Sequence, residues 1–149
     1  MRLVLGALFL VLIAAASGRA DDTAFGETEL WIESGEARHR FVVEVALTDR
    51  QWSRGLMFRK AMAPDRGMLF RYDGERPVAM WMKNTFIPLD MLFVGADGRI
   101  KRIAENTTPL SLETIHSGGP VAAVIELNGG ITRRLGIAPG DRVIYKAAD

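Results

Sequence analysis

Cysteine is absent from the 149 residues. That excludes thiol catalysis, thiolate metal sites and iron–sulfur clusters. It also excludes a lipid anchor on an N-terminal cysteine, and disulfides, so stability must come from burial and hydrogen bonding. A surplus of charge of one sign is missing too: 19 Lys and Arg stand against 18 Asp and Glu. With no basic block, nucleic acid and anionic membrane surfaces are poor partners on electrostatic grounds. There is no Gly-x-Ser-x-Gly elbow, no phosphate loop and no dinucleotide fingerprint. Internal repeats are absent as well.

What is present begins with a segment set apart from the rest. Met1-Arg2 is a short basic start, and Leu3 to Ala16 is apolar without a charge. Ser17-Gly18-Arg19-Ala20 then places small residues at the third and first positions before a cut ahead of Asp21. This is the layout of a secretory signal, with an apolar part short for a membrane span. An uncleaved N-terminal anchor is the alternative. The expectation is a signal over 1–20, a loose leader over 21–27 and one globular domain over 28–149, exported to the periplasm or beyond. Cleavage would take Arg2 and Arg19 from the 19 basic residues, leaving 17 against 18 acidic ones. No stable membrane span would then remain, and a monomer is expected.

The domain reads as mainly β. Thr28 to Glu33 suggests a first strand. Arg38 to Leu47 alternates, with Phe41, Val43, Val45 and Leu47 on one face, the pattern of a half-buried strand. Thr48-Asp49-Arg50-Gln51 fits a capping box opening a short helix that Gly55 weakens. Trp52, Leu56 and Met57 would face the core. Gly67 to Tyr72 reads as a strand, Asp73-Gly74 as a turn, and Pro77 to Met82 as the next strand. Ile87-Pro88 begins another, and Asp97-Gly98 turns into a strand over 99–105. Asn106 to Pro120 reads as a long loop. Val121 to Leu127 is continuously apolar and hence central. Gly129-Gly130 leads into a short helix, Ile131 to Leu135, and Arg142 to Lys146 closes the chain. The sum is a compact antiparallel sandwich or barrel of about eight short strands with two short helices.

The middle of the chain carries the most specific text. Met80 to Val94 reads MWMKNTFIPLDMLFV: two apolar runs flank Lys83-Asn84-Thr85, and Asp90 sits alone inside the second run. A charge among such residues needs a partner or a task.

Five blocks occur in order: Arg54-Gly55-Leu56-Met57-Phe58-Arg59, Gly67-Met68-Leu69-Phe70, Trp81 to Met91, Glu126-Leu127-Asn128-Gly129-Gly130, and Gly136-Ile137-Ala138-Pro139-Gly140-Asp141. Over residues 28–147 the chain resembles the domain of unknown function 192 family, small bacterial and archaeal proteins, often exported. The resemblance implies a compact β-rich domain with a few short helices. It implies no activity and carries over no catalytic residue.

The chemistry must therefore come from the residues. Asp90 shares a strand face with Leu92 and Val94, and Glu126 shares one with Val124 and Asn128. Two acids among apolar neighbours suit divided acid and base roles; each could equally tie down a loop through backbone amides. Lys83, Asn84 and Thr85 offer charge, both hydrogen-bond polarities and a rotor, which suits the polar end of a small ligand. They could equally form a turn, with Lys83 merely neutralising Asp90. The six methionines between Met57 and Met91 could hold Cu(I). Met is also a core filler, and neither His39 nor His116 stands at metal-ligand spacing. His116 with Ser111 or Ser117 makes only a weak case for a triad. The free amides after Gly129-Gly130 could in principle hold an anion.

The leading expectation is a binding module for a small polar or anionic ligand or a peptide segment. Its candidate site comprises Lys83, Asn84, Thr85, Asp90, Glu126 and Arg54, walled by Trp81, Met57 and Met68. No metal or other cofactor is expected. The alternatives are a metal-independent enzyme using Asp90 or Glu126 as general acid/base, and a structural or envelope interaction protein.

Overall fold

A computed structural model describes residues 24–146. The expected signal over 1–20 and the start of the leader lie outside the described residues. The elements run β1 (Gly26–Ser34), β2 (Ala37–Ala46), α1 (Asp49–Arg54), β3 (Arg66–Met80), β4 (Leu89–Val94), β5 (Ile100–Ala104), β6 (Ile115–Asn128), α2 (Ile131–Leu135) and β7 (Arg142–Tyr145). The strands form one sheet in the order β5-β4-β6-β3-β2-β1-β7. It curls into a half-barrel. At one end its two edges meet: Arg99 bridges Arg142, the Ile100 amide donates to the Asp141 carbonyl at 3.0 Å, and Val143 donates to Gly98 at 2.8 Å. Among the described residues no helix is long and apolar enough to cross a membrane.

Two features differ from the sequence reading. Asp73-Gly74 does not reverse the chain. Arg71 pairs with Ala123 and Arg76 with Val121, so the extra residues of β3 form a bulge, with Gly74 at φ 75°. The two strands expected on either side of that turn are one long bent strand, and seven strands result rather than eight. β6 also starts earlier than Val121, because Ile115 and His116 pair with Met80 and Ala79 in the bent half of β3. The neighbouring pairs are antiparallel except β2–β3, which run parallel because α1 crosses between them.

The sheet is covered on both faces. Leu30, Ile32, Phe41, Val43, Leu92 and Ile125 fill the concave side, plugged by Ile131 and Ile137 around α2. Met68, Phe70, Met91, Phe93 and Val124 face the convex side, where Leu56 and Met82 cover them. Burial on both faces explains why β4 is apolar at every position but Asp90, with all six residues buried. β6 lies between β4 and β3, the central place its apolar run implies.

α1 sits where its capping box requires. The Gln51 amide donates to Thr48 Oγ1 at 3.3 Å, and Gln51 Oε1 accepts from the Thr48 amide at 3.2 Å. Gly55 ends the helix at φ 45°, and a Cβ there would stand 3.2 Å from the Phe70 ring. The glycine therefore admits an aromatic side chain from β3 rather than another backbone.

Candidate functional site

Asp90 and Glu126 are both nearly inaccessible, at 0% and 4% exposure, yet they do different things. Met91 pairs with Glu126 and Asp90 pairs with Leu127 across the β4–β6 ladder. Side chains alternate along a strand, so Asp90 points to the concave face and Glu126 to the convex one.

Asp90 is fully engaged. Its Oδ1 accepts from the amides of Asn106 at 2.7 Å and Gly130 at 2.8 Å. Its Oδ2 accepts from the Thr132 amide at 2.9 Å and the Thr132 hydroxyl at 2.6 Å. It thus caps α2 from a distance and ties the Asn106 loop to the barrel. The amides after Gly129-Gly130 do hold an anion, and that anion is the protein's own Asp90. The structure does not bring Asp90 to Lys83 or Glu126: the sheet lies between. The expected pairing of the two acids in one site is corrected accordingly.

Glu126 is the opposite case. Among the described residues it forms no hydrogen bond and no ion pair, and burial alone pushes its carboxyl up to about 8. Its cross-strand neighbours are Met91 and the fully buried Met68. The carboxyl opens on a slot of about 30 Å³. Six candidate positions meet there: Arg54, Met57, Trp81, Lys83, Thr85 and Glu126 itself. Met68 lies beneath them in the core.

Lys83 and Asn84 make a turn, with the Thr85 amide donating to the Met82 carbonyl at 3.1 Å. Asn84 adopts φ 54°, a left-handed conformation that Asn tolerates. Its carbonyl accepts from the Phe58 amide at 2.8 Å, and its Nδ2 approaches Met57 Sδ at 3.8 Å. The Thr85 hydroxyl donates locally to the Lys83 carbonyl at 3.1 Å. The turn is therefore structural in Asn84 and Thr85. Lys83 is exposed, its Nζ 4.9 Å from the centre of the Trp81 ring.

The slot adjoins an open groove of about 550 Å³ between α1 and the bent half of β3. Trp52, Ser53, Phe70, Met80 and Trp81 line both. Farther out stand Asp49, Tyr72 and Arg76. Trp52 and Tyr72 rings meet at 5.1 Å, and the Arg76 guanidinium lies 4.9 and 4.5 Å from their centres. Burial pushes the Tyr72 phenol up to about 12. The groove was not foreseen. Its signal was the Asp73-Gly74 bulge, which swings Arg76 to Met80 over α1, and the turn chemistry of Asp-Gly hid it. Trp52, expected to face the core, is half-buried, with Nε1 donating to the Ala46 carbonyl at 2.9 Å.

The methionines divide. Met68, Met82 and Met91 are wholly enclosed, and Met57 and Met80 line the slot. Among the described residues no group of three or more His, Asp or Glu is placed to hold a metal ion.

The family model described as DUF192, Uncharacterized ACR, matches residues 30–145. Two crystal structures resemble the chain closely. One, a candidate transcription regulator from Sinorhizobium meliloti 1021, is 46% identical with a TM-score of 0.80, over 82% of this chain and 95% of that one. The other, a protein of unknown function from Novosphingobium aromaticivorans DSM 12444, is 37% identical with a TM-score of 0.80, over 93% of this chain and 99% of that one. None of the curated proteins matches.

Proposed function

The chain belongs to the DUF192 family, and from that premise we propose that it is an exported binding module for a small ligand, seated in the groove between α1 and the bent half of β3. One observation carries this reading: Glu126, a buried carboxyl with no partner among the described residues, opens on the slot where Arg54, Trp81 and Lys83 converge. Burying a carboxyl without a hydrogen bond is costly, and Glu126 keeps its accessible surface only at this slot, where a ligand atom would supply the missing bond. Apolar walls with a few convergent polar groups are the usual make-up of ligand sites. Export rests on the layout of residues 1–20. A nucleic-acid role, which its name suggests for the Sinorhizobium protein, draws no support from the near-equal charge of this chain.

The test is amide-shift mapping of a small-molecule library on the full chain. Hits should move residues 52–57, 81–85 and 126, and Trp81→Ala should abolish them with stability retained. Hits confined to other surfaces would end the reading. One observation favours a second reading as an enzyme: a carboxyl near pH 8 suits general acid/base work. That version predicts a pH–rate profile that loses one limb in Glu126→Gln.

A further inference from the structure

The groove reading leaves the class of ligand open, and the charges around the slot narrow it. The groups facing Glu126 are Arg54 from the end of α1, Lys83 from the turn and Tyr72 from β3; β4 contributes only Met91, which does not titrate. Along the groove Arg76 adds a third cation and Asp49 a single anion. With Glu126 protonated at neutral pH, the surface a ligand meets is net positive.

The slot is small. With about 30 Å³ of open space, the slot has room for one or two ligand atoms and too little for a hydrated multivalent group. Leu56, Phe70 and Met80 wall it with apolar surface, and Ser53, Arg54, Lys83 and Thr85 stand around it with their polar groups. A protonated carboxyl supplies one O–H, and an O–H donated to a charged oxygen is among the stronger hydrogen bonds. A phosphate carries four oxygens around one centre and is too bulky for this slot. An ammonium would meet three cations on the way in.

Resting on the groove reading, we propose that the ligand is a small monocarboxylate. Its apolar body lies along Trp52 and Trp81, one carboxylate oxygen accepts from the Glu126 carboxyl, and Lys83 and Arg54 balance its charge. Glu126 here is a binding residue, a proton held in place as the donor. Ionisation of Glu126 sets two like charges against each other, so binding is present below its pKa and lost above it.

The experiment titrates the full chain with phenylacetate, benzoate, benzylamine and inorganic phosphate between pH 5.5 and 9.5. Tryptophan fluorescence and amide shifts are the readouts. The aromatic carboxylates should bind in the groove with steady affinity to about pH 7, weakening about tenfold per pH unit above about 8, as one linked proton requires. Glu126→Gln, which keeps an N–H donor and cannot ionise, should bind with no such pH dependence. Lys83→Met, an exposed change, should weaken binding several-fold at every pH and keeps the test open if Glu126→Gln does not fold. Benzylamine or phosphate binding in the groove in preference to carboxylates would overturn the ligand class and leave the groove reading standing. Carboxylates shifting only residues elsewhere would overturn both. Failure of every probe at millimolar concentration, or carboxylate affinity that does not change with pH, would overturn the carboxylate assignment alone.

Discussion

Asp90 and Glu126 stand one rung apart on the β4–β6 ladder and face opposite sides of the sheet. One carboxylate has every lone-pair direction engaged by the protein, and the other has none engaged by the described residues. The fold thus uses the same chemical group twice, once to hold loops and once facing an opening. Removing each should have opposite consequences.

Asp90→Ala strands the amides of Asn106, Gly130 and Thr132 inside the concave core. The expected loss is about 3–5 kcal/mol, the range for deleting one member of a buried charged network. Urea unfolding measures it. A loss under about 1 kcal/mol would mean that the loops find other partners.

Glu126→Gln should stabilise the protein at alkaline pH. The folded carboxyl titrates near 8 and the unfolded one near 4.5. Below 4.5 both states are protonated and there is no penalty. Between these values only the unfolded chain ionises, so wild-type stability falls as pH rises, and above about 8 it levels off. The variant lacks this slope. Its advantage over wild type in urea midpoint should grow between pH 5 and pH 8 and then stay constant.

Gly67→Ala should be severe. A Cβ there would lie 2.5 Å from the Glu126 carbonyl and 2.7 Å from Leu127 Cδ2. The obstacle is backbone on a neighbouring central strand, which cannot swing away, so β3 and β6 would have to part beside the slot. A cost of about 3 kcal/mol is expected by thermal or urea unfolding. Gly26→Ala, where nothing lies within 4 Å, is the matched control.

Thr107→Val should cost about 1–2 kcal/mol. The Thr107 hydroxyl both accepts from the Leu89 amide at 3.2 Å and donates to the Leu89 carbonyl at 2.9 Å, fixing the start of β4 after Pro88. Valine keeps the shape and leaves that buried amide without this side-chain partner. Thr107→Ser, with the hydroxyl retained, should recover most of the loss.

Local chemistry was legible where the signal is local. The capping box at Thr48, the left-handed turn at Gly98 and the inward face of Phe41, Val43 and Val45 follow from residue types within a few positions of one another. Leu47, expected on that same face, is 39% exposed because the strand ends at Ala46 and the chain turns into α1. Lys83, Thr85 and Glu126 were legible as polar groups set among apolar neighbours, whereas their meeting with Arg54 and Trp81 depends on strand pairings that bring together residues far apart in the chain. What stayed hidden depended on pairing. Asp-Gly can reverse a chain or bulge it, and the choice at Asp73-Gly74 is made by β6, which pairs with β3 on both sides. The opposed faces of Asp90 and Glu126 could be read within each strand, but not relative to each other until Asp90 was matched to Leu127.

The meeting of Gly98, Arg99 and Ile100 with Asp141, Arg142 and Val143 carries a cost for anyone who would lengthen or trim the end of this chain. Each border of the sheet acts there as the other's cover, so loosening β7 would bare two rows of backbone groups at once. Truncation before Arg142 should therefore promote self-association well before it abolishes folding.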